Sequence, residues 1–143
     1  MRIWGLVFLA ACSSAAWAGG RPILDGPEIL SELAGKTIRG AYADGTAFTE
    51  TLWPDGKDTY WDPRGISVGQ WSVERDLVCF KYDDEYNMAG GCFRVEKNGS
   101  NCFDFYSEKE AVGDTAKPAK KRRYVARASS DGAEATCPVD LQV

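Results

Sequence analysis

Apolar and polar residues alternate in short runs along most of the chain, and turn-forming residues interrupt those runs at close intervals. Short alternating runs of this kind predict an all-β sandwich or barrel. Strands are expected from Lys36 to Tyr42, Ala47 to Trp53, Lys57 to Trp61, Ile66 to Val73, Leu77 to Tyr82, Gly91 to Glu96, Asn101 to Tyr106 and Tyr124 to Ala128. Between them lie Asp44 and Gly45, then Pro54, Asp55 and Gly56, then Pro63 and Gly65, then Asn98 and Gly99. Asp-Gly and Asn-Gly pairs supply the positive φ that tight hairpins need, so the strands are expected to follow one another as an up-and-down antiparallel meander. Ahead of the sheet, Asp25, Gly26, Pro27 and Glu28 lead into Ile29, Leu30 and Leu33, with Gly35 as a stop, which predicts a short helix with proline in its first turn. Ser107 and Glu110 have capping-box spacing, so a helical turn is expected from Glu108 to Val112. Asp131 and Gly132 would turn the chain into a tail held by Cys137.

One apolar run stands outside this pattern. Arg2 precedes an apolar stretch from Ile3 to Ala11, and Ala16, Trp17 and Ala18 form an A-x-A cleavage site. Residues 1–18 are therefore expected to be an export signal, leaving a single domain over residues 19–143. The run is far below the roughly 20 residues needed to span a bilayer. Leu9, Ala10, Ala11 and Cys12 also spell a lipobox, so a membrane tether is expected only if Cys12 is lipidated. Cleavage after Ala18 would instead discard Cys12 and leave an even cysteine count, which favours soluble release to the periplasm or outside the cell.

Export places Cys79, Cys92, Cys102 and Cys137 in an oxidising compartment, where they are expected as two disulfides. Strand register selects a pairing. If Glu96 to Ser100 forms a hairpin with a three-residue loop, Phe93 lies across from Phe103 and Arg94 across from Cys102. Pairing Cys79 with Cys92 puts Val78 opposite Phe93 and leaves Phe80 and Tyr82 on the same aromatic face. The expectation is Cys79 with Cys92 across adjacent strands and, by elimination, Cys102 with Cys137. Sequence alone leaves the other two connectivities open.

Composition narrows the chemistry. The chain contains 143 residues, carries a net charge of −4 and has no histidine. A mildly acidic chain offers no general electrostatic case for nucleic acid. The local exception, Lys117 to Arg123, reads as a solvated linker. Without histidine, Ser-His-Asp and Cys-His sites are impossible, and the commonest zinc and haem ligand is missing, so neither a metal nor a cofactor is expected. Glu50, Asp58 and Asp62 fall on or beside adjacent strands and could make a glycosidase-like acid and base pair, although carboxylates on a half-exposed sheet are far commoner. Asp83, Asp84 and Glu85 could collect a hard cation, but they lack EF-hand spacing and read as an acidic loop.

Aromatic residues make the remaining constellation: Tyr42, Trp53, Tyr60, Trp61 and Trp71 all belong to the first four strands. Facing inward, they could line an apolar cavity or simply fill the core. Trp71 is expected in the core. Trp53 and Trp61 are the candidate contact residues, because Trp61 precedes a turn at Asp62 and Pro63. Asn98, Gly99 and Ser100 make a glycosylation sequon that reads as a plain turn.

The stretch Leu33-Ala34-Gly35-Lys36-Thr37, followed by Pro54-Asp55-Gly56, Gly69-Gln70-Trp71-Ser72-Val73, Leu77-Val78-Cys79-Phe80 and Cys92-Phe93, resembles small exported alphaproteobacterial proteins of an uncharacterised domain family. The likeness covers about Leu33 to Tyr106 and implies an envelope β-domain with no assigned reaction. In size, export and disulfide use the chain is also similar to the lipocalin-like barrels of bacterial protease and lysozyme inhibitors, an architectural analogy. The resulting expectation is a non-catalytic envelope protein, inhibitor-like, contacting another macromolecule. The alternative is a carrier whose cavity holds a small apolar ligand, and an enzyme ranks third.

Overall fold

The computed structural model describes residues 22–83, 90–108 and 124–138. The signal segment with Cys12, the acidic residues Asp84 and Glu85, the basic stretch 117–123 and all but the first residue of the turn expected from Glu108 lie outside the described residues.

The first element, α1 (Gly26–Leu33), begins where Asp25 accepts from the Glu28 amide and Glu28 accepts from the Asp25 amide, both at 2.9 Å. This reciprocal cap satisfies two amide groups that a helix start leaves without partners. Ile29 and Leu33 are buried, whereas Leu30 points to solvent. The helix ends at Ala34, and Gly35 turns the chain at φ 74° into the first strand.

Eight antiparallel strands follow: β1 (Lys36–Tyr42), β2 (Ala47–Leu52), β3 (Lys57–Asp62), β4 (Gly65–Glu74), β5 (Leu77–Tyr82), β6 (Gly91–Lys97), β7 (Phe103–Ser107) and β8 (Ala126–Ser130). Each pairs with the next, and β8 pairs with β1 to close the barrel. The meander is as the turn signals predict. Closure depends on Gly40, opposite Ala128, because a Cβ there would lie 2.0 Å from the Arg127 carbonyl oxygen. Glycine is what lets β1 and β8 approach this closely.

Alternation then sorts the side chains. Phe48, Glu50 and Leu52 on β2, and Asp58, Tyr60 and Asp62 on β3, are all buried. The helix packs against β1, β4 and β5 and covers the end of the barrel where β1 begins. Leu33, Leu52, Trp71, Val78, Val95 and Phe103 belong to the core that fills this half.

Both expected disulfides form. Cys79 and Cys92 are direct partners on β5 and β6 with Cα atoms 4.0 Å apart, and Cys102 and Cys137 lie 4.8 Å apart. They fit an oxidising, extracytoplasmic location. Val78 lies opposite Phe93, as expected. The β6–β7 register, however, differs from the expected one: Glu96 pairs with Asp104 and Lys97 with Phe103, so Phe93 faces Ser107 rather than Phe103. A wider loop causes the change, since the Asn98 amide donates to the Cys102 carbonyl at 2.8 Å and residues 98–102 all leave the ladder. Each strand slips by an even number of positions, so Phe93 and Phe103 still share a face. The last strand also starts two residues later than expected and ends at Ser130.

The tail seals the outside of β7 and β8. Asn101 is buried at its root, donating to the Ser130 and Ala133 carbonyls and accepting from the Ser130 amide. Beneath it, Arg127 forks onto Asp104 with contacts of 2.5 and 2.9 Å and also reaches the Pro138 carbonyl.

Candidate functional site

Away from α1 the described residues leave the barrel interior incompletely filled. A cavity of about 200 Å³ lies among Tyr42 of β1, Phe48 and Glu50 of β2, Phe80 and Tyr82 of β5, Phe93 of β6 and Phe105 of β7, with Ile38, Val125 and Ala126 completing the wall. Its size follows from side-chain choice, because Gly90 and Ala126 contribute little volume where their neighbours contribute rings. The rings stabilise one another: Tyr42 packs on Phe48 at 5.0 Å between centroids, Tyr60 on Tyr82 at 5.6 Å and Phe80 on Phe93 at 6.1 Å. Tyr42 also lines a depression at the same end, formed by Asp44 and Thr46 of the β1–β2 turn and Pro63 and Arg64 of the β3–β4 turn.

One wall of the cavity is acidic. Glu50 is only 4% exposed and receives a hydrogen bond from the Tyr82 hydroxyl. Asp58, 2% exposed, stands diagonally across on β3, since its register partner is Leu52. Among the described residues nothing donates to either Asp58 oxygen. Asp58 stands close enough to Glu50 for each carboxyl to shift the other. Burial pushes Glu50 well above the usual carboxylate range, with the Asp58 charge adding to the effect and the Tyr82 bond opposing it. Burial also raises Asp58 to about 6, opposed by the neighbouring Glu50 carboxyl. The two are thus a buried carboxyl pair, with Glu50 at the edge of an aromatic chamber.

A third carboxylate behaves differently. Asp62 accepts from the Arg64 side chain at 2.8 Å and backbone at 2.7 Å and from the Tyr60 hydroxyl at 3.2 Å. The Arg64 bond holds it below the usual range. Burial raises the phenols of Tyr42, Tyr60 and Tyr82, so all three remain neutral donors.

Sequence expectations divide here. Glu50, Asp58 and Asp62 are not on a half-exposed surface: the pleat turns all three inward, because each shares its alternation with Phe48, Leu52 or Tyr60. The tryptophans do not line the cavity, and from the expected aromatic set only Tyr42 does so. Trp71 is in the core with its indole N–H bonded to the Trp53 carbonyl at 2.8 Å. Trp53 and Trp61 are half exposed, and Trp61 pairs with Ile66, beside exposed Val68, on the outer face of β3 and β4. The rings that do line the cavity come largely from Phe and Tyr of the later strands. Their signal was the common face of Phe80, Tyr82 and Phe93, together with the Phe48-x-Glu50 alternation. Among the described residues no group of three or more potential metal ligands occurs, and Asp84 and Glu85, the expected partners of Asp83, lie outside them.

No protein-family profile matches the chain, and no curated protein does. Among the described residues no helix is long and apolar enough to cross a membrane.

Proposed function

We propose that the protein is an exported, non-catalytic envelope barrel that binds a small, largely apolar molecule in the chamber between β1, β2 and β5 to β7. The observation that carries this reading is a 200 Å³ space left among aromatic rings inside an otherwise filled barrel. Interiors pack at crystal-like density, and a barrel of eight strands is just wide enough either to fill with side chains or to hold one small ligand. A dry cavity of about 150 Å³ accepts benzene, so this one suits a single ring or a short chain. The two disulfides support function in the periplasm or outside the cell, where a carrier must survive without cellular repair.

Ethylbenzene tests the reading. At ten times its dissociation constant it should stabilise the protein by about 1.4 kcal/mol, raising Tm by several degrees. Ala126→Leu, which fills the chamber from β8, should abolish that rise. An unchanged Tm in the parent protein would count against ligand binding.

A second reading is favoured by the outer face. Trp61, Ile66 and Val68 expose 47%, 65% and 57% of their surfaces, an apolar cluster suited to contact with another envelope protein. Trp61→Ser with Val68→Ser should then weaken that contact and leave ethylbenzene binding intact.

A further inference from the structure

We propose that the ligand is a small apolar amine, whose ammonium group sits against Glu50 while its hydrocarbon lies among the rings. This inference rests on the ligand-binding reading above and assigns the chemical class.

The geometry separates three kinds of ligand. An anion would meet the Glu50 and Asp58 carboxyls, while Arg64, a basic side chain at this end of the barrel, is bonded to Asp62. A neutral hydrocarbon would fill the chamber but offer nothing to the Glu50 carboxyl that lines it. An ammonium ion supplies positive charge to a site holding two carboxyls. It also meets the negative faces of aromatic rings, an attraction that grows when water is excluded. Tyr82 already holds one Glu50 oxygen in place, so the carboxylate is oriented before the ligand arrives.

The charge change is balanced. In the free protein burial favours the protonated form of Glu50. When the ammonium ion binds, that proton leaves to solvent, and the pair carries one more negative charge against one positive charge gained. The groups facing Glu50 are Tyr42 from β1, Asp58 and Tyr60 from β3 and Tyr82 from β5, with Asp62 and Arg64 paired farther along. Burial keeps the three phenols neutral, and Arg64 and Asp62 hold each other charged, so the carboxyl pair is the group left to release the proton.

Titration calorimetry with phenethylamine, ethylbenzene and phenylacetate, at about pH 6 in two buffers of different ionisation enthalpy, tests this. Phenethylamine should bind tightest and release close to one proton, and its affinity should rise with pH. Glu50→Gln should weaken phenethylamine by about tenfold to a hundredfold while still binding ethylbenzene, which shows that the chamber is folded. If ethylbenzene binds the parent protein as tightly as phenethylamine and no proton is released, the amine assignment is wrong and the chamber remains a ligand site. If none of the three binds, the ligand-binding reading fails and takes this inference with it.

Discussion

The Tyr82 hydroxyl on β5 donates to the Glu50 carboxyl on β2, spanning the barrel interior between strands that are not neighbours in the sheet. The bond favours the ionised form of Glu50 against the burial that opposes it. Tyr82→Phe should therefore move Glu50 still higher, as read from its side-chain carboxyl carbon shift during an NMR titration. The lost bond should cost about 0.5 to 1.5 kcal/mol in urea unfolding. A Glu50 titration that stays where it was would show that the bond does not govern the pair.

The same pair sets the pH dependence of stability. Glu50 and Asp58 both have folded values above their unfolded ones, so the native state binds more protons than the unfolded state in between. Their contribution is complete below pH 4 and is lost as pH rises through about 6 for Asp58 and higher for Glu50. Asp44, Asp55 and Asp62 are depressed, and their contribution fades as pH falls below 3.8. Stability should peak in mildly acidic solution and decline towards pH 8. Glu50→Gln should flatten that decline and gain about 1 to 3 kcal/mol at pH 8 in urea titrations.

The disulfides should contribute unequally. Cys102 and Cys137 are 35 residues apart and Cys79 and Cys92 only 13, so the former bridge restricts the unfolded chain more. Chain entropy alone makes the difference about 1 kcal/mol within an overall 2 to 4 kcal/mol per bridge. Urea midpoints of Cys102→Ser with Cys137→Ser, compared with Cys79→Ser with Cys92→Ser, measure it. The reverse order would mean that the tail adds little to the fold.

Beneath that tail, Asp104 is fully buried and Arg127 only 9% exposed. Asp104→Ala would leave a buried guanidinium without its carboxylate and should cost about 3 to 5 kcal/mol. Changing both residues, to Asp104→Leu with Arg127→Met, should cost clearly less than the two single changes together. Additive losses would show that the two side chains act independently.

Which of these features the sequence reveals depends on how local their causes are. Asp25 with Glu28, and the Asp-Gly turns, act within a few residues, so α1 and the first five hairpin strands fall within two residues of expectation. The Cys79 to Cys92 pairing was likewise readable, because one register places Val78, Phe80, Tyr82 and Phe93 on a common face. The Asn98 loop was not, since its width is set by Asn101, whose side chain bonds to Ser130 and Ala133 some thirty residues away. The candidate site was half legible: Glu50 and Asp58 stood out as carboxylates on adjacent strands. Their inward direction became clear only once the barrel closed and gave the sheet an inside. The tryptophans misled for the same reason, because residue type suggests a lining while strand parity places Trp61 outside beside Ile66 and Val68.

Nuclear Overhauser contacts between bound ethylbenzene and methyl-labelled protein would locate the ligand. The expected result is cross-peaks to the methyl groups of Ile38, Val125 and Ala126, which line the chamber, and none to Val68 on the outer face. Cross-peaks confined to Ile66 and Val68, or none at all, would contradict a ligand site inside the barrel.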